Sequence, residues 1–473
     1  MKKNITFLIV VLLFSSCKKE INYQQDELTL EINDFIWKAM NSYYLWKNEK
    51  TILADDYFKN QEELNNFLDN YSNPENLFED LIYDRTNIDH WSWIVDDYEK
   101  LLQYFQGIRK TTGMRIGLVY EPGSSYYIYA YVRYVIPNSD AWQKGITRGN
   151  IFRKINGERL NIDNYHELLR NDNLNIELAQ WTGNNLTDTG TVINLTKTEI
   201  SENPIYISNI IQQNGKKIGY LMYNGFTQTY NSELNSVMNY FSGQNIDELI
   251  IDLRYNPGGS VSTMQYLASM ITGQFTGSVF LKYQWHPQLQ EWMLERYPNS
   301  LHRSFVSYMN TGETINHLYL DKVYVITTKS SASASESLIN CLKPYMQVIQ
   351  FGTETSGKYT ASVTLFDSSD FSYKHINPRH KWALQPIVLK ISNALNQSDF
   401  VNGILPDYYQ AEDYQNLGIL GDTNEPLLNT VLQYIDGNII FLNRNSNNKY
   451  SEEIQYVEEK YMENQYIDEL PSP

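Results

Sequence analysis

Two polar residues in this sequence stand where a nucleophile and its base would stand. "DKVYVITTKSSASASESLINCL" places Ser333 where an apolar strand gives way to a helix, and "FGTETSGKYT" places Lys358 just after a glycine turn. A serine at a helix N-terminus lies beside free backbone N–H groups and the positive end of the dipole, where a developing oxyanion is stabilised. The same residues have a structural use, because Ser333-Ala334-Ser335-Glu336 also fits a capping box. Lys358 has a rival reading too. Gly352, four residues, Gly357 and Lys358 reproduce most of a phosphate-binding loop, but the hydroxyl residue needed for magnesium is replaced by Tyr359. A phosphate loop opens into a helix, whereas "TASVTLFD" alternates and predicts a strand. None of the seven histidines lies in a triad motif, and no G-x-S-x-G elbow occurs. A histidine brought in by the fold stays open as the base. So does a lysine, which is costly to charge among apolar walls and can then accept a serine's proton.

A third stretch, "LIIDLRYNPGGS", reads as a buried strand running into Asp252 with Asn256-Pro257-Gly258-Gly259 as its exit turn. Glycines there permit unusual backbone angles and close approach of N–H groups to a ligand. A tight turn and nothing more is the plain alternative.

These residues need elements to hold them. Residues 24–105 carry apolar residues at helical spacing, as in "DELTLEINDFIWKAMNSYYLW" and "NPENLFEDLIY", with many aromatics, including Trp37, Trp46, Trp91 and Trp93. An aromatic-rich helical domain explains them without any cofactor. From 106 to 200 the texture changes to short alternating strands. There a proline, a short helix from Asp140 ending at Gly145, a Gly149 turn, the strand "IFRKI" and an Asn156-Gly157 turn follow one another. That succession resembles a PDZ domain, a module that binds C-terminal peptide ends by adding a strand to a sheet edge. From 201 to 436 strands and helices alternate, which predicts an α/β domain with much parallel pairing. Residues 437–473 are polar and acidic and read as a tail.

Composition narrows the functional classes. With 38 basic and 55 acidic residues the chain carries a formal charge of −17, unsuited to nucleic acid or anionic lipid surfaces. "MKKNITFLIVVLLFSSCKKE" has a basic start, an apolar run too short to span a bilayer, and small residues before Cys17. That is a secretory signal over 1–17 in lipobox form, predicting lipidation of Cys17 and a cell-envelope location. Nucleotides are scarce there, which further weakens the phosphate-loop reading. Cys341 is the one other cysteine, so with Cys17 lipidated no internal disulfide is available.

Together the pieces resemble one family, the C-terminal processing peptidases or tail-specific proteases, which are serine peptidases with an inserted PDZ domain. "DLRYNPGG" (252–259), "SASE" (333–336) and "GTETSGK" (352–358) occur in the family's order, and the serine-to-lysine spacing agrees. "GILPDYY" (403–409) and "LGDTNEPLLNTVLQYI" (420–435) resemble its usual ending, while "SYYLW" (42–46) and "LFEDLIY" (77–83) resemble lipoprotein members from Bacteroidetes-like bacteria. The resemblance implies a multidomain α/β fold: an N-terminal helical domain (18–105), a PDZ-like β-rich domain (106–200) and a peptidase core with a mostly parallel sheet (201–436). It implies Ser333 as nucleophile, Lys358 as general base, and an oxyanion hole from the N–H of Ala334 and one from Gly258 or Gly259. Ser335 and Glu336 become helix-start structure. Members often carry a glutamine four residues after the lysine to orient it, and this chain has Ser362 there. The PDZ segment would take the substrate's C-terminal end at Met114, Arg115, Ile116 and Gly117. Protein or peptide substrates are implied as partners, with no cofactor, metal or nucleotide. A second reading, a non-catalytic peptide-binding lipoprotein on the same scaffold, stays open on the Ser362 departure.

Overall fold

Apolar positions at helical spacing in the first hundred residues fold into helices. In the computed structural model, which describes residues 27–398, 400–438, 453–454, 465–468 and 470, helix α1 spans 27–43. It is followed by α2 (Gln61–Leu68), α3 (Pro74–Leu81) and α4 (Tyr98–Phe105). Asn60, Asn73 and Asp97 cap the last three by accepting from first-turn N–H groups. Residues 1–17, read above as a signal, and the lipidation candidate Cys17 lie outside the described residues. Helices α1 to α3 do not enclose a core of their own. Ile32, Phe35, Met40, Leu77 and Phe78 belong to one buried cluster with Leu267, Leu338 and Leu389 from far along the chain. The two-turn helices α2 and α3 have too little apolar face to close a core with α1 alone, so the three complete another.

The β-rich module does have its own core. Strands β1 (Met114–Tyr120), β2 (Ile128–Val135), β3 (Ile151–Ile155), β4 (Asn173–Thr182) and β5 (Asn185–Thr196) pair in that order, antiparallel throughout. Leu118, Val132, Phe152, Ile155 and Ile176 pack with Leu168 of the short helix Tyr165–Arg170. The chain enters and leaves side by side, since Ile108–Thr111 pairs antiparallel with Thr198–Ser201.

Beyond it run β6 (Ile205–Gln213), β7 (Lys216–Tyr223), α5 (Asn231–Gly243), β8 (Glu248–Asp252), α6 (Val261–Thr272), β9 (Val279–Trp285), β10 (Lys322–Thr327), α7 (Ala334–Leu342) and β11 (Gln347–Gly352). Then follow β12 (Thr360–Ser362), β13 (Ile387–Asn393), β14 (Tyr408–Tyr409), α8 (Pro426–Ile435) and β15 (Gln465–Tyr466). One sheet has the order β6-β7-β8-β10-β11-β14, with β6 antiparallel and the other neighbours parallel. Its inner strands are apolar through their centres, as at Leu249, Ile250 and Ile251 or Val323, Val325 and Ile326, because both faces are covered. Leu221, Leu249, Ile251 and Val325 join the cluster holding α6 and α7. Tyr220, Ile250 and Ile326 face Leu428, Val431 and Leu432 of α8.

A second six-stranded sheet was not anticipated from the sequence. Its order is Gly259–Ser260, β15, β12, β13, β9 and His302–Ser304. The first pairings are parallel and those from β12 onward antiparallel. Several of its strands have two or three residues, too few to show an alternating pattern. Among the described residues no helix is long and apolar enough to cross a membrane.

Candidate active site

Ser333 caps the N-terminus of α7 in a strained conformation. Its φ of 63° and ψ of −112° lie outside the regions an L-residue ordinarily occupies, and the residue is fully buried. The expected capping box is formed in outline, with Glu336 reaching back to Ser333, but its serine side makes no hydrogen bond. Ser333 N–H donates to Glu336 Oε2 at 2.7 Å, while Ser333 Oγ has no hydrogen-bond partner. No histidine therefore bonds that hydroxyl. A strained, buried serine with an uncommitted hydroxyl suits attack better than capping.

The loop before Ser333 is stitched to the glycine turn. Ser331 Oγ donates to Leu253 O at 2.7 Å, Ala332 N–H to Asn256 O at 3.1 Å, and Ser335 Oγ to the same carbonyl at 2.9 Å. Asn256 in turn donates to Tyr223 O at 2.8 Å and accepts from Gly258 N–H at 2.9 Å. Gly258, with φ of 112°, is packed against Ser333: a Cβ there would lie 2.8 Å from Ser333 Cβ and 3.1 Å from Ala334 N. Its N–H is held by Asn256, so an oxyanion approaching Gly258 must share that donor.

The turn is anchored from below by charge. Arg254, fully buried, bonds Asp252 at 2.7–3.0 Å, Glu425 at 2.7 and 3.0 Å and Glu412 at 3.2 Å. Arg148, from the β-rich module, reaches Glu412 at 2.7 Å and Tyr255 Oη at 2.7 Å. Two guanidinium groups thus hold three carboxylates, and these cations keep Glu412 near 2 despite its burial.

Lys358 is fully buried, and its Nζ lies 5.7 Å from the Trp91 ring centroid. The loop carrying Trp91 is fixed by Asp89, which accepts from Trp91 and Ser92 N–H and from Tyr44 Oη. The N-terminal helices therefore contribute a wall of the site, which the aromatic density alone did not signal. The preceding Gly357, at φ of 108°, admits no other residue, since a Cβ would sit 2.3 Å from Val401 O. No helix follows Lys358; strand β12 does. The amides that a phosphate would need are already filled, because Gly357 N–H donates to Glu336 Oε1 at 2.6 Å and Lys358 N–H to Glu336 Oε2 at 2.9 Å.

Glu336 is the residue the sequence undervalued. Read as a cap, it ties both halves of the site, since the backbone nitrogens of Ser333 and Lys358 meet on one of its oxygens. Thr355 Oγ1 donates to the other at 2.5 Å. Burial raises this carboxyl to about 7, while the four donors favour its ionised form. A glutamate at the third helical position beside so apolar a helix was the available signal. Ser362 is buried in β12 and accepts from Gln385 Nε2 at 3.0 Å. Gln385 also accepts from Thr364 Oγ1 at 2.7 Å.

The tail-binding candidates lie apart from this cluster, on β1. Met114 and Gly117 are buried and Ile116 half-buried. Arg115, expected as a carboxylate contact, is buried with its guanidinium 2.6 Å from Glu202, whose carboxyl Arg115 and Arg109 hold at about 2 against burial. Its charge is met by the chain itself.

A model of peptidase family S41 matches residues 217–409, and a model of the S41 N-terminal domain matches 31–93. The two cover more than half of the chain. The chain belongs to peptidase family S41. This S41 chain is 28% identical over 172 residues to a carboxyl-terminal-processing protease of Picosynechococcus, covering 36% of each chain. It is 27% identical over 211 residues to a carboxy-terminal processing protease of Bacillus subtilis, covering 42% of this chain and 37% of that one. The matches thus span little more than a third of these curated relatives' length. A crystal structure described as an S41 protease from Bacteroides fragilis aligns with a TM-score of 0.63 at 26% identity, over 86% of this chain and 97% of that one. The photosystem II D1 C-terminal processing protease aligns with a TM-score of 0.50 at 16% identity, over 85% and 97%, which shows a shared fold.

Proposed function

We propose that this S41 chain is a serine endopeptidase that cuts proteins or peptides near their C-termini through Ser333 and Lys358. The observation that carries the reading is the convergence of the Ser333 and Lys358 backbone nitrogens on one oxygen of Glu336, with both residues buried and Ser333 Oγ uncommitted. In the first step Lys358 Nζ takes the Ser333 Oγ proton as the oxygen attacks the scissile carbonyl. The N–H of Ala334, first of α7, and that of Gly258 or Gly259 stabilise the resulting oxyanion. Lys358 then gives the proton to the departing amine, and water, deprotonated by Lys358, releases the acyl group. Ser362 orients the lysine, supported by Gln385.

The β-rich module supplies tail recognition by strand addition at β1, around Met114–Gly117. Lipidation at Cys17 anchors the chain in the cell envelope. Ser362 in place of a glutamine is what favours the second reading, a peptide-binding lipoprotein without turnover.

The test is cleavage of an unstructured model protein carrying different C-terminal residues by residues 18–473, beside Ser333→Ala and Lys358→Ala. Cutting by the parent and silence in both variants is expected, with rates that depend on the tail. Equal behaviour of all three overturns the dyad, and tight tail binding without cutting supports the second reading.

A further inference from the structure

The strand slot beside the dyad is filled by the chain itself. Strand β15 pairs in parallel with Gly259–Ser260 on one side and with Ser362 on the other, and Ile467 N–H donates to Ser362 O at 3.0 Å. One flank is the exit of the glycine turn packed on Ser333; the other is the strand that follows Lys358. An extended peptide in this slot bonds by its main chain to both halves of the site, whatever its sequence. The side chains add a pattern. Tyr466 stacks on Phe105 at 4.2 Å between centroids, Ile467 is buried, and Asp468 Oδ1 accepts from Ser260 Oγ at 2.8 Å.

The fit behind Tyr466 is incomplete. Tyr466 forms one wall of a cavity of about 70 Å³ that reaches Gly258 and Gly259. Asn224 also lines it, 8% exposed, and neither its Oδ1 nor its Nδ2 has a hydrogen-bond partner. Buried amides are rarely left with both atoms unmatched in a finished core. A donor and an acceptor together match a peptide group.

A second part of the same stretch of chain lies on the β-rich module. Glu453–Ile454 adds antiparallel to the outer edge of β1. Glu453 Oε1 accepts from Arg133 at 2.6 Å and from Tyr131 Oη at 2.7 Å, in space left by Gly117, where a Cβ would lie 2.2 Å from that oxygen. The two places are independent of one another, and both are positions for an added peptide strand.

We propose that Glu453–Ile454 and Gln465–Asp468 are a built-in peptide competitor, occupying the sheet edge for substrate tails and the strand slot beside Ser333 and Lys358, and that substrates enter by displacing it. This rests on the peptidase reading above. The slot takes extended peptide with an aromatic residue at the position of Tyr466 and an aliphatic one after it.

The experiment uses the full chain with Tyr466→Ala and Ile467→Asp together. Cleavage of the unstructured model protein rises about tenfold, the change expected for losing one packed aromatic anchor. The synthetic peptide NQYIDEL, residues 464–470, added in trans slows it again, and a scrambled peptide does not. A variant that melts cooperatively, cuts no faster and ignores the peptide overturns the proposal. If the variant does not fold, amide exchange of Ile467 in full-length Ser333→Ala decides: acceleration by saturating model protein supports displacement, and unchanged exchange overturns it. If no form cuts, the peptidase reading fails separately, and fluorescent NQYIDEL decides the slot. Tighter binding to the double variant than to the parent sustains it, and equal or absent binding removes it.

Discussion

Ser333 carries two burdens that substitutions separate. Its φ of 63° stores strain of about 1–3 kcal/mol, which glycine does not suffer and alanine does. Ser333→Gly is therefore expected to melt above Ser333→Ala, with both inactive, in parallel thermal scans. Glu336 gives a pH signature. Its carboxyl stands at about 7 in the folded chain against an ordinary 4.5, so between those values the unfolded chain has lost a proton that the fold retains. Stability from this group falls as pH rises through that window, by at most ~1.4 kcal/mol per unit, and is level above about 7. Melting the parent and Glu336→Gln at intervals across the window checks this: the slope belongs to the parent and is missing from the variant. An equal slope in both would place the titration elsewhere. At this scale the sequence was partly legible. Ser333 and Lys358 stood out because strand–helix and glycine–strand junctions are local signals. The reach of Glu336 to Gly357 and Lys358, and of Trp91 over the lysine, depends on contacts between distant segments, which spacing does not encode.

Among the elements, the parallel strands were readable because burial on both faces makes their centres apolar, as in the Leu249-Ile250-Ile251 run of "ELIID". The sheet through β12 and β15 was not, since several of its strands are short and its paired strands, such as Gly259–Ser260 and Gln465–Tyr466, lie far apart in the chain. Under the glycine turn, Arg254 is the element-level anchor. Arg254→Met leaves Asp252 and Glu425 buried without their main cation and is expected to cost about 3–5 kcal/mol in denaturant unfolding. Arg148→Ala, which keeps Arg254 in place, should cost less. If the two cost the same, the charge network does not center on Arg254. Gly357→Ala is expected to destabilise the lysine loop because its Cβ would strike the Val401 carbonyl. Activity should fall further than the melting temperature, a comparison that one kinetic and one thermal series provides.

For the whole molecule, the buried clusters predict how it comes apart. Helices α1 to α3 share their core with α6 and α7, while the β-rich module has a core of its own around Phe152 and Leu118, besides the faces by which Tyr134 and Tyr131 meet the rest of the chain. Scanning calorimetry is expected to show two transitions, with the N-terminal helices melting together with the α/β layers. A third, separate transition for residues 27–105 would contradict the shared core. The sequence shows changes of texture near 106, from helical spacing to short strands, and near 201, to alternating strands and helices, but not which apolar faces meet. The antiparallel ribbon of Ile108–Thr111 and Thr198–Ser201 has a practical corollary. Because entry and exit lie side by side, everything between them is a cassette: a short turn could close the ribbon in its place, or another recognition unit be spliced in, without stretching the scaffold that carries Ser333 and Lys358.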